Sequence, residues 1–250
     1  MTRLIRAEAL RLATTRTYWL LVAGAIALIA GGIAPTAAAT SFTSGTSPAR
    51  SVLAIAGLAQ TIALIAGALS VTGEFRHKTI TAAVLITPRR TPLLAAKLIT
   101  VTAAGLAFGL AATGMATAIT LPLLAARHLP AEISGTGTAA IIIGGGIATA
   151  LAAAIGVGTG AIIRNQAGAT IAVLALLYVA EPLLGFISHL GTVIQQYGLG
   201  GLAAAATQTT GFPASAHLLG QPAAVFILAG YATAALLAGA ALLRRRDIPT

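Results

Sequence analysis

Cysteine is absent from this chain of 250 residues. Its absence excludes disulfide bonds, thiol chemistry and metal sites with cysteine ligands. Acids and histidines are also scarce, with five Asp and Glu residues and four His residues. Few side chains are left to build a catalytic centre, and the sequence has no H-E-x-x-H motif and no convincing Ser–His or Ser–Lys pair. We therefore expect no enzyme activity, no metal and no cofactor in the chain itself.

Charged residues are also scarce. Only 8% of the residues are charged, whereas a soluble domain has roughly 25%. Hydrophobic residues make up 57% of the chain and the mean hydropathy is +0.93. Too few polar side chains remain to cover a water-soluble globule, and several apolar runs exceed the roughly 18 residues that mark a membrane-spanning helix. The composition predicts an all-α polytopic membrane protein, whose abundant Ala and Gly suit close helix packing in lipid.

Six spans are predicted within a single transmembrane domain, residues 1–250. They lie at about 18–35, 51–72, 98–125, 138–163, 167–187 and 222–243. Residues 1–17 carry apolar side chains at helical spacing between arginines, which is typical of an interfacial helix. Residues 188–221 are apolar but interrupted by Gly and Pro, and we expect an outer re-entrant hairpin there.

The basic residues are distributed unevenly over this topology. With six spans, every Lys and Arg except Arg50 and Arg127 falls on one side of the membrane. The positive-inside rule assigns that side to the cytoplasm, with both termini. The formal charge of +10 therefore reflects membrane topology and predicts no nucleic-acid partner. We expect a bacterial inner-membrane location.

The densest run of charge, residues 73–97, lies between the second and third spans. Within it, Ile80, Ala83 and Val84 have helical spacing, so a short amphipathic helix is predicted over Arg76 to Ile86. This helix is either a docking element for a cytoplasmic partner or part of an ordinary solvated loop.

Thr87 and Pro88 have the pattern of an N-cap followed by proline at the first helical position. We expect the helix that begins there to pass through Lys97 and continue as the third span.

Three runs in this loop resemble a known family. They are Gly73-Glu-Phe-Arg-His-Lys-Thr-Ile80, Thr87-Pro-Arg-Arg90 and Leu94-Ala-Ala-Lys-Leu98. The pattern is similar to that of permease subunits of type-2 ATP-binding-cassette (ABC) exporters. It resembles in particular that of short bacterial permeases with a GE-x-R-x-x-T-I, T-P-x-R and L-L-x-x-K loop after the second span.

The resemblance implies that the loop forms a coupling helix, seated in a groove of a separate ATPase subunit. It places the ATPase contact on Glu74, Phe75, Arg76, His77, Lys78, Ile80, Val84, Arg89 and Arg90. Ile80 and Val84 would supply an apolar knob. The charged residues would fix the orientation of the loop on the ATPase through ion pairs.

The same resemblance implies the partners. Two cytoplasmic ATPase copies would carry ATP and Mg²⁺, because this chain has no G-x-x-x-x-G-K-[ST] motif. A second permease copy would complete the pathway, more simply as a homodimer than as a heterodimer. The family plan puts spans one, two and five along that pathway, and an apolar Ala/Gly-rich lining suits a drug, lipid or peptide cargo.

Glu181 is the one acid predicted inside a span, and Pro182 follows it. An intramembrane carboxylate is a functional candidate, so Glu181 is a possible pathway or gate residue. The simpler alternative is that it reaches water or pairs with Arg50 or Arg127. Two rival functions follow from these residues. One is a proton-coupled secondary transporter that uses Glu181, and the other is a membrane sensor or assembly module that docks through the charged loop.

Two glycine pairs with four-residue spacing, Gly105 with Gly109 and Gly156 with Gly160, are candidate packing faces. They predict close helix contacts, either within one subunit or between two.

Overall fold

The computed structural model describes residues 2–39, 47–76, 90–187, 190–209 and 218–245, which form helices and connecting turns without a strand. The helices are α1 (Thr2–Thr14), α2 (Arg16–Ala39), α3 (Pro48–Leu53), α4 (Leu58–Arg76), α5 (Arg90–Ala126), α6 (Gly135–Ile163), α7 (Gln166–Ala175), α8 (Glu181–Gly185), α9 (Gly191–Tyr197), α10 (Leu199–Ala206) and α11 (Gln221–Arg245). A 3-10 segment, Ala54–Gly57, joins α3 to α4, and a π-helical turn, Leu176–Ala180, joins α7 to α8.

Within the described ranges, six helical segments are long and apolar enough to cross a membrane. They are Arg16–Ala38, Pro48–Arg76, Pro92–Ala126, Gly135–Ile163, Gln166–Gly185 and Gln221–Leu242. The prediction of an all-α, multi-pass membrane protein is thereby confirmed for the described residues, which contain six candidate spans. The second and third spans are longer than predicted, because α4 and α5 continue into the charged loop as far as Arg76 and Arg90.

Helix α6 forms the centre of the bundle and packs against α4, α5 and α11. Most of its buried residues are glycines and alanines. Because they lack bulky side chains, the neighbouring backbones approach closely, which favours dispersion contacts in a membrane protein.

Both predicted glycine faces pack within the chain. A Cβ on Gly109 would lie 2.7 Å from the Gly145 carbonyl oxygen, so this face joins α5 to α6. A Cβ on Gly156 would overlap the Leu64 carbonyl oxygen, so the other face joins α6 to α4. Of the alternatives that the spacing left open, the structure favours packing inside one subunit.

Contacts between distant residues group the helix termini into two ends. At one end, the basic end, α1 contacts α4 and α5, Arg76 at the end of α4 contacts Gln166, and Arg164 contacts the Leu242 carbonyl. At the opposite end, Arg50 donates to the Gln208 carbonyl oxygen at 3.2 Å. The six spans therefore run alternately up and down, as the charge pattern predicts.

Local signals mark the start and end of α6. The Ser134 hydroxyl accepts a hydrogen bond from the Gly137 amide at 3.1 Å, as an N-cap does. Arg164 ends the helix in the left-handed conformation, with φ of 58°. Asn165 then caps α7, because its side-chain oxygen accepts from the Gly168 amide at 3.0 Å.

Helices α9 and α10 belong to the opposite end. Leu202, Ala205 and Ala206 of α10 are buried, and α10 packs against α11 and α6. The Gln221 side-chain amide donates to the Ala206 carbonyl and the Ala140 carbonyl, each at 2.9 Å, and so ties α10 to both neighbours.

Candidate functional site

The charged loop rises from two helix ends. Helix α4 ends at Arg76, and α5 begins at Arg90 and passes through Lys97 into the third span, as predicted. Residues 77–89 lie outside the described residues, and with them most of the predicted docking helix. The predicted contact residues in that stretch are His77, Lys78, Ile80, Val84 and Arg89.

Four charged side chains meet at the base of this loop, and we call them the base cluster: Glu8, Arg11, Glu74 and Lys97. The Lys97 ammonium lies 2.8 Å from the Glu8 carboxylate and 2.9 Å from the Glu74 carboxylate. The Arg11 guanidinium donates to Glu74 and lies 3.9 Å from Glu8. The cluster thus joins α1, the end of α4 and the start of α5.

Three members of the base cluster are withdrawn from solvent. The side chains of Glu8, Glu74 and Lys97 are 11%, 5% and 4% exposed, and that of Arg11 is 44% exposed. Removing ions from water costs several kcal/mol each, and good geometry must offset that cost. Here two acids alternate with two cations, so each buried charge faces an opposite one.

Sequence reasoning assigned Glu74 to a partner contact, whereas the structure brings it to Lys97 and Arg11 inside the chain. Nothing in the sequence predicted that Glu8 and Glu74 would share the Lys97 ammonium. One signal for Glu8 was available. Ile5, Glu8 and Leu12 share a helical face, so an acid stands in the middle of an apolar stripe.

Phe75 and Arg76 are the other described side chains of the predicted contact. The Arg76 guanidinium is exposed and donates to the Gln166 side-chain oxygen at 3.0 Å. The Phe75 ring is half-buried beneath the Arg164 guanidinium, 5.3 Å from the ring centroid, in a cation–π contact. Among the described side chains of the predicted contact, Arg76 is thus the exposed one. For Arg90, the structure describes the helix start alone.

A cavity of about 600 Å³ opens beside Arg76 and Phe75, at the basic end. The α6–α7 turn and the first turns of α7 form its other wall, with Arg164, Asn165 and Gln166. Its described lining combines cations and neutral polar groups with apolar side chains, and it contains no acid.

Glu181 lies far along the chain from the base cluster and has a different environment. Its two carboxylate oxygens accept hydrogen bonds from the backbone amides of Leu199 at 2.6 Å and Gly200 at 2.9 Å. These amides belong to the first turn of α10, where helix N–H groups have no partner in the helix. The structure thus brings Glu181 to the N-terminus of α10 and not to Arg50 or Arg127. There the Glu181 carboxylate caps the helix.

The turn before Glu181 is also irregular. Residues Leu176–Ala180 form a π-helical turn directly before Glu181 and Pro182. Proline has no backbone N–H to donate to the preceding turn, and a π turn accommodates such a break. The widened turn sets the position from which the carboxylate reaches α10.

Replacing Glu181 with alanine is expected to lower the free energy of unfolding by about 0.5–2 kcal/mol, the usual cost of removing a helix cap. The melting temperature of the detergent-solubilised protein measures this loss. Glu132→Ala, which removes an exposed acid from the loop between α5 and α6, is the matched control. Equal melting temperatures for the two variants would contradict the capping role of Glu181.

We compared the chain with models of known protein families and with curated proteins, and it matches none of them.

Proposed function

We propose that this chain is the membrane-spanning permease subunit of an ATP-driven ABC exporter of type 2, which moves a hydrophobic or amphipathic substrate out of the cytoplasm. A separate ATPase subunit would bind ATP and Mg²⁺. One observation carries the proposal. Glu74 and Lys97, which stand in the first and last runs of the family-like motif, form an ion pair across the base of the loop.

This ion pair links the two ends of the loop to each other, and coupling in this proposal needs such a link. A loop transmits a pull to its spans if its two ends are fixed to each other. Glu74 near the end of α4 and Lys97 in α5 provide that link, and Glu8 extends it to α1. In this proposal Glu74 serves as an internal anchor, and the ATPase meets Arg76 and the loop residues beyond it.

The proposed membrane orientation puts the basic end in the cytoplasm, because cytoplasmic segments carry an excess of Lys and Arg. Helix α1 would then lie along the inner interface, with Arg3 and Arg6 exposed to water and lipid headgroups. Helices α9 and α10 would form a re-entrant hairpin from the outer side. The burial of α10 against α6 and α11 supports this arrangement, because irregular backbone at membrane depth must be enclosed by protein.

A second permease copy fits the exposure of α7 and α8. Large apolar side chains are exposed on this fifth span, among them Ile171, Leu176, Val179 and Leu183. The Thr61 hydroxyl of the second span lies 3.1 Å from the Tyr178 hydroxyl, so spans two and five are neighbours within the chain. We propose a homodimer in which these spans border the substrate path.

The test is co-purification of the tagged protein in mild detergent. We expect a partner chain that carries a G-x-x-x-x-G-K-[ST] motif and hydrolyses ATP in a vanadate-sensitive manner. A charge in the apolar knob, Ile80→Asp or Val84→Asp, is expected to reduce the recovered ATPase at least about tenfold, because truncating or charging an interface anchor costs more than about 1.4 kcal/mol.

Arg127→Ala, at the opposite end, is the matched control and should recover as much ATPase as the unaltered chain. Each variant must also keep its melting temperature, which separates loss of docking from loss of fold. Substitutions at Glu74 are avoided for that reason, since its carboxylate is buried. The proposal would be contradicted if the eluate contained no ATPase. It would also be contradicted if Ile80→Asp and Val84→Asp each recovered as much ATPase as the unaltered chain.

A further inference from the structure

Helix α1 has two faces of different chemistry. The inner face packs on α5 and carries Glu8 of the base cluster, with Ile5 and Leu12 half-buried beside it. The opposite face, which we call the outer face, has residues spaced by three and four positions, as on one side of a helix: Arg3, Arg6, Leu10 and Ala13. All four are exposed, so no described part of the chain covers the outer face.

The outer face is positively charged. Arg3 and Arg6 are exposed, and neither is paired with another residue in the described part of the chain. The one acid of α1, Glu8, is buried on the inner face and paired with Lys97. The outer face therefore presents two cations without an acid beside them on the helix, and its charge is complementary to that of an anionic surface.

An aliphatic side chain accompanies the two cations. Leu10 lies one turn after Arg6 and is 58% exposed. Arginine side chains next to an apolar one are typical of helices in the membrane interface. There the apolar side chain enters the acyl region, and the long arginine stems let the guanidinium groups reach the lipid phosphates. A partner for this face thus offers both negative charge and hydrocarbon.

The connection to the first span holds the outer face near the membrane. Thr15 alone separates α1 from α2, and the first candidate span begins at Arg16. The Trp19 indole N–H donates to the Ala13 carbonyl oxygen at 2.8 Å and ties the end of α1 to the first turn of α2. Since the inner face is also fixed to α5, the outer face stays close to the lipid headgroups around the first span.

We propose that the outer face of α1 binds the headgroups of acidic phospholipids, with Leu10 inserted among their acyl chains. Basic residues next to a span attract anionic lipids in this way. A zwitterionic headgroup has no net charge, so two arginines attract it less. The lipid would hold α1 from the outside while the base cluster holds it from the inside. This contact needs neither an ATPase nor a transported substrate.

The experiment places a fluorescent reporter on the outer face. The chain has one tryptophan, so Leu10→Trp combined with Trp19→Phe moves the sole indole to α1 and keeps an apolar side chain there. The purified reporter chain is reconstituted in phosphatidylcholine vesicles that contain brominated phosphatidylglycerol or brominated phosphatidylcholine. Quenching against the fraction of brominated lipid gives the relative association constant of the two lipids. We expect phosphatidylglycerol to associate at least about fivefold more strongly, the effect of one basic residue at a membrane surface or more.

The cause of the preference is tested by removing the two charges. Arg3→Gln with Arg6→Gln in the reporter chain is expected to lower the phosphatidylglycerol preference about fivefold or more. Both arginines are exposed, so the fold should be kept, and the circular dichroism and melting temperature of each variant check this. Arg127→Gln, at the opposite end, is the matched control and should leave the preference unchanged.

Three results would overturn the proposal. Equal quenching by the two lipids would show an apolar contact without headgroup selection. Absence of quenching by either lipid would place the outer face outside the bilayer, where a protein such as the ATPase could cover it. A preference that survives the loss of both arginines would come from other basic residues. All three concern the purified chain without an ATPase, so none bears on the co-purification test of the exporter.

Discussion

Replacing Lys97 with methionine is expected to lower the free energy of unfolding by about 3–5 kcal/mol, the cost of leaving a buried charge without its partner. Methionine has a similar length, so it fills the space but removes the ammonium that Glu8 and Glu74 share. Among the described residues, the cation nearest to Glu8 would then be Arg11, at 3.9 Å. A fall in melting temperature, with loss of the monodisperse protein in detergent, measures the effect.

The cause of that fall can be isolated by removing the unpaired charges as well. The triple variant Lys97→Met, Glu8→Gln and Glu74→Gln should recover most of the lost stability, because an uncharged set of similar volume has no ions to desolvate. Arg11 tolerates this change, since it is 44% exposed and can be hydrated. If the triple variant were no more stable than Lys97→Met, the loss would come from packing and not from charge.

Alanine at both Gly67 and Gly156 is expected to destabilise the protein by roughly twice the 1–3 kcal/mol typical of one overpacked site. The two glycines form a reciprocal contact between α4 and α6. A Cβ on Gly67 would overlap the Ala153 carbonyl oxygen, and one on Gly156 would overlap the Leu64 carbonyl oxygen. Both obstacles are backbone atoms, which cannot rotate away, so the two helices would have to separate.

Gly114→Ala is the matched control for this pair. It lies in α5, and a Cβ there would meet nothing within 4 Å. It should be neutral or stabilising by up to about 1 kcal/mol, because alanine loses less backbone entropy in a helix. Melting temperatures of the single and double variants in one detergent give the comparison. A double variant as stable as Gly114→Ala would show that the helix contact is looser than the structure describes.

Together these two sets of contacts join α4, α5 and α6 into one unit. Glycine packing joins α4 and α5 to α6, and the base cluster joins α4 to α5 and to α1. A force applied to the loop between Arg76 and Arg90 would therefore move several helices together. This is the structural requirement of the proposed coupling, and the Lys97 variant tests its main link.

The sequence by itself determined the all-α class, the six spans and the partition of their ends. Transfer of about 20 apolar residues into lipid is a local, additive free energy, so composition within one window decides it. The side of the membrane on which each basic residue falls likewise depends on the number of spans between the basic residues. Glycine spacing identified the packing faces of α5 and α6, because the small side chain acts at its own position.

The tertiary structure alone decided which residues meet. Glu74 is paired with Lys97 and Arg11, Glu181 caps α10, and the glycine faces are closed within one subunit. Each of these pairings depends on the rotation and depth of two helices relative to each other. Hydropathy does not encode those quantities, because many rotations bury the same apolar area. They follow from the close packing of α6 with its neighbours, where a shift of a fraction of an ångström separates contact from overlap.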